Sequence, residues 1–466
     1  MSAVARPAER LTLPVERERW SGRSGLILAT IGSAVGLGSI WKFPYEVGAN
    51  GGGGFVLFYV LGLVLVVVPL MFAEFAIGRR GRGDPATSIA VVAAAHQARR
   101  CWALAGYLGV FTGFLILSFY SVIGGWTIAY AVETAVSGLA GAVPAAVQGR
   151  FDALLASPGR MAAFHALFVA LCAVVVARGI AGGIEVASKV LMPVLGVLLL
   201  ALATYSVATG DLMATLAFLF QLDLPRLTGR AALEALGLGF FSIGVGLGLM
   251  ITYAAYAGAD IDLIQVAVVS VVADTAISFL AGFAVFPIVF AHGLDPAGGP
   301  GLVFVTLPLA FAGMPLGTLA SIAFFLLLFV AALASAISML ELCVALLVRQ
   351  RGWRRAPATW VAAAVCFVAG IATVLSFNVW AHWHPLGWLP AFAGDTLFDL
   401  LDQLTSNLLL PLTGLALALF CGWVLPDRVL SEELGLGPRG GLLLRVLLRY
   451  VAPPAIAMAS IAALVA

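Results

Sequence analysis

Apolar runs of about 20 residues recur along the whole of this chain, and each is long enough to cross a bilayer as a helix. In lipid, only helices and closed barrels satisfy all their backbone polar groups, and runs of this length are helical. The composition agrees: 466 residues, 62% hydrophobic, 10% charged, with a mean hydropathy of +1.08. That is far outside the range of soluble globular domains. The expected fold class is an all-α polytopic membrane protein with one membrane domain. Eleven spans are read, near 23–47, 53–79, 102–135, 161–178, 183–208, 231–256, 263–291, 316–348, 357–376, 396–424 and 443–465.

Arginines orient these spans. Arg6 to Arg23 precede the first. Arg79, Arg80, Arg82, Arg99 and Arg100 fill the second-to-third connection, and Arg349, Arg351, Arg354 and Arg355 fill the eighth-to-ninth. All three regions lie on one side. The opposite loops hold fewer: Arg150 and Arg160, Arg226 and Arg230, and none in 292–315. The positive-inside rule places the N-terminus in the cytoplasm, and eleven spans then place Ala466 outside. The expected location is the cell's inner (plasma) membrane. The first 21 residues are polar and lack the short apolar core of a signal peptide. Cys101, Cys172, Cys343, Cys366 and Cys421 lie in or beside apolar segments without metal-ligand spacing, and read as small core residues. The segment 292–315 is rich in turn residues and then apolar through 302–311. It reads as a hairpin dipping over a site.

The sharpest local signal is GSAVGLGS at 32–39, inside the first span. Glycine in a helix interior costs roughly 1 kcal/mol against alanine. In lipid, a loosened backbone also strands N–H and C=O groups. The sixth span holds a second interruption, GVGLG at 244–248. Glycine breaks at equivalent places in two five-span halves mark an inverted-repeat transporter, with substrate and ions bound at the breaks. A helix restarting near Leu37 aims free N–H groups and a positive dipole end at the gap. The carbonyls freed around residues 32–35 suit a cation or an ammonium, so a zwitterion fits. Close helix packing through the Gly32/Gly36 pair is the other reading of the first break.

The stretch GLILATIGSAVGLGSIWKFP at 25–44, followed by NGGGGF at 50–55, resembles the first-span signature of the neurotransmitter:sodium symporter family. EFAIGR at 74–79, FFSIG at 240–244, TYAAY at 252–256 and FDLLD at 398–402 match further motifs in family order. The eleven-span form is similar to bacterial amino-acid members. The resemblance implies the LeuT-type fold, a 5+5 inverted repeat with broken first and sixth helices plus an eleventh helix. Its parts would be a cytoplasmic segment 1–22, repeats 23–208 and 231–424, and a last span 443–466.

The resemblance also implies a site. Substrate would meet Ser33, Ala34, Leu37, Gly38, Phe241, Ser242, Gly244 and Ser335, with Tyr120 holding its carboxylate. Ile116, Phe241, Leu247 and Met339 would line an apolar side-chain pocket. Gly36 stands where monoamine-carrying relatives have an aspartate, so the substrate must bring its own carboxylate, which points to an α-amino acid. Gly244 and Leu247 leave room for a branched or aromatic side chain. A first sodium site would use Ala34, Ser39, Ser242 and Asp274; a second would use Gly32, Val35, Ala331 and Ser335. Ser39 and Asp274 both stand where asparagine is usual, and Ala334 offers no oxygen where threonine is common, leaving one or two sodium ions open. A carboxylate in mid-span costs several kcal/mol unless compensated. Asp274 is either a structural ion-pair member or the charge partner of sodium, standing in for the chloride some relatives need.

Gates follow in the same way. Lys42 and Asp402 match the family's extracellular pair. Arg17 and Trp20 match its cytoplasmic latch, but the acidic partner position is Arg349, which leaves Glu341 as a candidate partner. Gly183 and Pro193 bracket nine residues of the fifth span, either a family motif that unwinds or an ordinary kink. Glu74 reads as structural. His382 and His384 lack a third metal ligand. No nucleotide loop, metalloprotease helix or nucleophile motif is present, so neither an enzyme, an organic cofactor nor nucleic-acid binding is expected. The expected function is sodium-coupled symport of hydrophobic L-amino acids across a lipid bilayer. A sodium-independent or proton-linked carrier and a non-transporting amino-acid sensor are the alternatives. Oligomeric state is not legible.

Overall fold

The computed structural model of the protein describes residues 18–139, 142–222, 228–296, 302–389 and 392–465. Every regular element among them is helical. Among the described residues, nine helices are long and apolar enough to cross a membrane, and a tenth crossing is the pair Arg23–Ala34 and Gly38–Ala49, bent by 51° at its break. The crossing expected near 231–256 is split into Gly229–Ile243 and Leu249–Ala255, each too short to span alone. The crossings therefore fall where the apolar runs predict, within a few residues at each end.

The connections hold helices that hydropathy alone does not reveal. Pro85–Ala95 starts at Asp84, whose carboxylate accepts from the N–H groups of Ala86 and Thr87, with proline at the first helical position. Leu212–Phe220 is capped in the same way by Asp211. Pro144–Leu155 and Asp427–Leu434 complete the set.

Among the nine unbroken spans, the third (Arg100–Ser137) and the eighth (Gly317–Arg351) are the most deeply buried and lie against each other, while the last (Pro438–Ile461) is the most exposed. Glycine permits the close approaches: a Cβ on Gly109 would sit 2.7 Å from the carbonyl oxygen of Leu247, in the second break. The expected hairpin is helical over Leu302–Thr306 and Leu307–Ala312. Its Phe304 is fully buried against Trp41, Trp126, Tyr130 and Phe151, so the segment caps that end of the bundle. Its tip, 297–301, lies outside the described residues. Cys101 is exposed, whereas the other four cysteines are buried.

Candidate substrate and ion site

The first break begins where the helix ends at Ala34. Val35 is extended (φ −76°, ψ 94°). Among the described residues, no donor reaches the carbonyl oxygens of Gly32, Ala34 or Val35. On the far side of the gap, the N–H of Leu37 donates to the Tyr120 hydroxyl at 3.0 Å. None of Gly32, Gly36 and Gly38 has a positive φ. Their use is closeness. A Cβ on Gly36 would lie 2.7 Å from the Tyr120 hydroxyl and 3.1 Å from Ser335 Cβ. On Gly38 it would lie 3.1 Å from the Phe241 ring and 3.2 Å from Ser242 Cα. The two breaks therefore meet face to face.

The second break is made differently. Gly244, Gly246 and Gly248 have φ of 72°, 96° and 81°, the left-handed region that favours glycine. The freed N–H of Gly246 donates to Glu74 Oε1 at 2.6 Å. Glu74 is fully buried on the second span, and its carboxylate braces the break from outside the cavity. That is a specific role for a residue the sequence marks only as structural.

All the expected substrate residues except Leu37 line one cavity between the breaks, joined by Gly36, Leu249 and Leu410. Leu249 and Leu410 were not foreseen. The polar groups lie on Ser33, Tyr120, Ser242 and Ser335, and the rest of the wall is apolar. Ser335 Oγ donates to the Ser33 carbonyl at 3.2 Å, while the Ser33 hydroxyl is buried with no partner.

Asp274 is fully buried and links the two breaks. Its carboxylate accepts from Ser39 Oγ of the first at 2.5 Å and from Ser242 Oγ of the second at 3.0 Å; the two hydroxyls are 2.9 Å apart. Tyr59 of the second span adds a third hydroxyl at 3.3 Å. No Lys or Arg pairs with this carboxylate among the described residues. A buried carboxylate ringed by three hydroxyls gathers the hard oxygen donors that suit a cation. At the other expected ion position, Gly32 lies against Ala334 and Met192, with Val35 and Ala331 buried nearby in the core. The carbonyl oxygens of Gly32 and Val35 have no donor among the described residues, the Ser335 hydroxyl is turned to the Ser33 carbonyl, and Ala334 presents only a methyl group.

The two ends of the path differ. At one, Trp20 is buried; its indole N–H donates to the Tyr253 carbonyl at 2.9 Å and its ring packs edge-on against Tyr253. Glu341, fully buried, is ion-paired with Arg355 and accepts from the Tyr256 hydroxyl at 2.8 Å. Arg355 also pairs with Glu18 at 2.5 Å. Glu341 is thus part of this latch, and the partner it takes is Arg355, which sequence reasoning did not single out. Arg17 lies outside the described residues. A second tie joins Ser21 to Glu185, which also pairs with Lys189 at 2.6 Å. At the other end, Lys42 Nζ sits 4.6 Å from the centre of the Phe241 ring, and Asp402 accepts from Ser406 at 3.1 Å. The structure does not bring Lys42 and Asp402 together as an ion pair.

In the fifth span the stretch around Gly183 forms a wide helical turn, Ile180–Ile184, and the helix then runs unbroken through Pro193 to Thr209. His384 faces the Asp395 carbonyl at 3.1 Å.

Comparison with known proteins follows the same lines. The sequence pattern of the Sodium:neurotransmitter symporter family matches residues 17–143 and 150–465. The chain belongs to this family. It is 37% identical to the uncharacterized sodium-dependent transporter YhdH of Bacillus subtilis (strain 168), over 94% of this chain and 96% of that one. It is 26% identical to the sodium-dependent dopamine transporter of Bos taurus, over 73% of this chain and 55% of that one. The crystal structure of MhsT in complex with L-phenylalanine superposes with a TM-score of 0.87 at 41% identity, covering 96% of this chain and 100% of that one. The protein is a multi-pass membrane transporter with the LeuT fold, and not an enzyme. As a member of this symporter family it is sodium-dependent, which sets aside the sodium-independent carrier and the non-transporting sensor.

Proposed function

We propose that the protein is a symporter of hydrophobic L-amino acids, branched or aromatic, driven by one or two sodium ions and independent of chloride. The observation that carries this reading is the cavity between the two breaks. Its polar end offers a tyrosine hydroxyl beside a freed N–H and carbonyls without donors, the two halves of a zwitterion's complement. The remaining wall is apolar and selects an apolar side chain. Gly36 leaves no side-chain carboxylate there to hold a lone amine. The MhsT complex with L-phenylalanine, in a relative at 41% identity, supports the same class of substrate.

Asp274 with Ser39, Ser242 and the Ala34 carbonyl would hold one sodium ion. Gly32, Val35, Ala331 and Ser335 would hold a second. The carboxylate supplies the negative charge that chloride provides elsewhere. Transport proceeds by alternating access between repeats 23–208 and 231–424. Lys42 and Asp402 draw together over bound substrate, and the Trp20 latch then opens toward the cytoplasm, where the segment 1–22 lies. The eleventh span returns the chain to the outside at 443–466.

The test is uptake of radiolabelled amino acids into proteoliposomes. Accumulation is expected with an inward sodium gradient and not with a proton gradient alone, and it persists when chloride is replaced by gluconate. Collapse of uptake without chloride overturns the role of Asp274. A thermal-shift screen of the twenty amino acids, with and without sodium, identifies the substrate, because ligands of the folded state raise its melting point. No shift with any amino acid in either salt overturns the substrate class.

A further inference from the structure

The cytoplasmic-latch face of the molecule carries a basic and aromatic cluster that takes no part in the site above. It lies where the tenth span ends (Leu397–Val424) and the last begins (Pro438–Ile461). The short helix between them, Asp427–Leu434, is fixed to the end of the second span by the pair Arg79–Glu433 at 2.5 Å. That end of the second span is on the same side as Trp20, since the first two spans cross in opposite directions.

At this corner the guanidinium of Arg449 lies 4.0 Å from the centre of the Trp423 ring and 5.6 Å from that of Tyr450. The two rings are themselves 5.7 Å apart and edge-on, and the Trp423 indole N–H donates to the Arg449 carbonyl at 3.2 Å. Both rings remain open, 50% and 59% exposed. Arg445 sits one helical turn before Arg449, on the same face, and pairs with the mostly exposed Asp427. No carboxylate pairs with Arg449 among the described residues, and its Nε is buried without a hydrogen-bond partner. The nearby acids Glu432 and Glu433 are engaged by Arg80 and Arg79.

An arginine held on the lipid-facing surface of a span, short of acceptors, needs an anion. The rings hold the guanidinium by cation–π contact, and among the described residues no protein acceptor meets its N–H groups. Exposed tryptophan and tyrosine mark headgroup depth. Beside them Leu442, Leu443 and Val446 are also exposed, an apolar flank suited to acyl chains. We propose that Trp423, Arg445, Arg449 and Tyr450 form a binding site for the phosphate of an anionic phospholipid in the leaflet on the Trp20 side. Arg449 gives the unpaired charge, and Arg445 adds the second by exchanging its mostly exposed partner Asp427 for the phosphate. The aromatic pair sets the depth, and the leucine flank distinguishes a lipid from a free anion.

The test is native mass spectrometry of the detergent-purified protein titrated with phosphatidylglycerol or phosphatidylcholine of matched chains. Phosphatidylglycerol is expected to be retained at least about tenfold better. The double variant Arg445→Gln/Arg449→Gln is expected to lose about thirtyfold in affinity, falling to the phosphatidylcholine level. Its thermal shift with sodium and amino acid stays as in the wild type, which separates this site from the transport reading. Arg351→Gln/Arg354→Gln, on the eighth-to-ninth connection, leaves lipid retention unchanged. If the double variant does not fold, Arg449→Gln alone serves, with about a fivefold loss and the Arg445–Asp427 pair intact. Equal retention of the two lipids, or undiminished phosphatidylglycerol binding in the variants, overturns the proposal. Displacement of the lipid by millimolar inorganic phosphate overturns the lipid assignment in favour of a free anion.

Discussion

The two broken helices carry the same sequence signal, a triplet of glycines, and use it for opposite reasons. In the first break the glycines have ordinary backbone angles, and what matters is the absent Cβ. Gly36 lies under the Tyr120 hydroxyl and Gly38 against Phe241 and Ser242. In the second, Gly244, Gly246 and Gly248 are all left-handed, and what matters is the angle itself. One break is a matter of space and the other of backbone strain. A side chain added to the first is opposed by its neighbours, which can yield. One added to the second is opposed by its own backbone, which cannot.

Asp274 joins the two breaks, so its loss has the largest effect. Asp274→Ala strips Ser39, Ser242 and Tyr59 of their shared acceptor and removes the charge that draws the cation. Sodium-driven uptake in proteoliposomes is expected to fall at least about a hundredfold, the scale of breaking a buried charged network. Wild-type uptake in this variant would show that the breaks do not meet on a cation. Next comes Gly246→Ala. Its φ of 96° costs about 1–2 kcal/mol for any side chain, and the new Cβ would be 3.0 Å from the Leu410 carbonyl. Uptake drops about tenfold, with a lowered melting temperature.

Gly36→Ala is intermediate. Its Cβ presses on the Tyr120 hydroxyl, so amino-acid affinity falls about fivefold by thermal-shift titration. In a Tyr120→Phe background the same substitution costs less, because the hydroxyl it strikes is gone. Additive losses would place the clash elsewhere. Gly32→Ala is the mildest. Its nearest neighbour is the flexible end of Met192 at 3.3 Å, and alanine favours the helix that continues to Ala34. Uptake is expected within about twofold of wild type. If Gly32→Ala proves as damaging as Gly246→Ala, the distinction between space and strain fails.

The spans were legible because lipid forces one period and one length on a crossing helix. Both breaks were legible because glycine triplets are costly there. The glycines' separate uses were not, since φ and neighbours are properties of the folded chain. Tyr59 and Arg355 show the same limit. Each meets its acid from another span, Tyr59 across 215 positions to Asp274, and nothing local marks the pairing. Arg355 sits among four arginines of one connection, and only packing distinguishes it from the exposed three. Asp84 and Asp211 are the converse: their caps are local signals, overlooked where hydropathy dominated the reading.

The bonds around Trp20 close into a ring. The backbone N–H of Trp20 donates to the Tyr256 carbonyl, Tyr256 donates to Glu341, Glu341 holds Arg355, and Arg355 holds Glu18, two residues before Trp20. Four separate stretches of the chain thus share one circuit. Within it, only the Glu341–Arg355 pair is a buried charge pair that cannot part cheaply, and it does not involve the N-terminal stretch. Departure of residues 18–20 from the bundle therefore breaks the Glu18 pair and the Trp20 bond while Arg355 stays paired with Glu341, so the far half of the circuit is left standing as a dock for the segment's return.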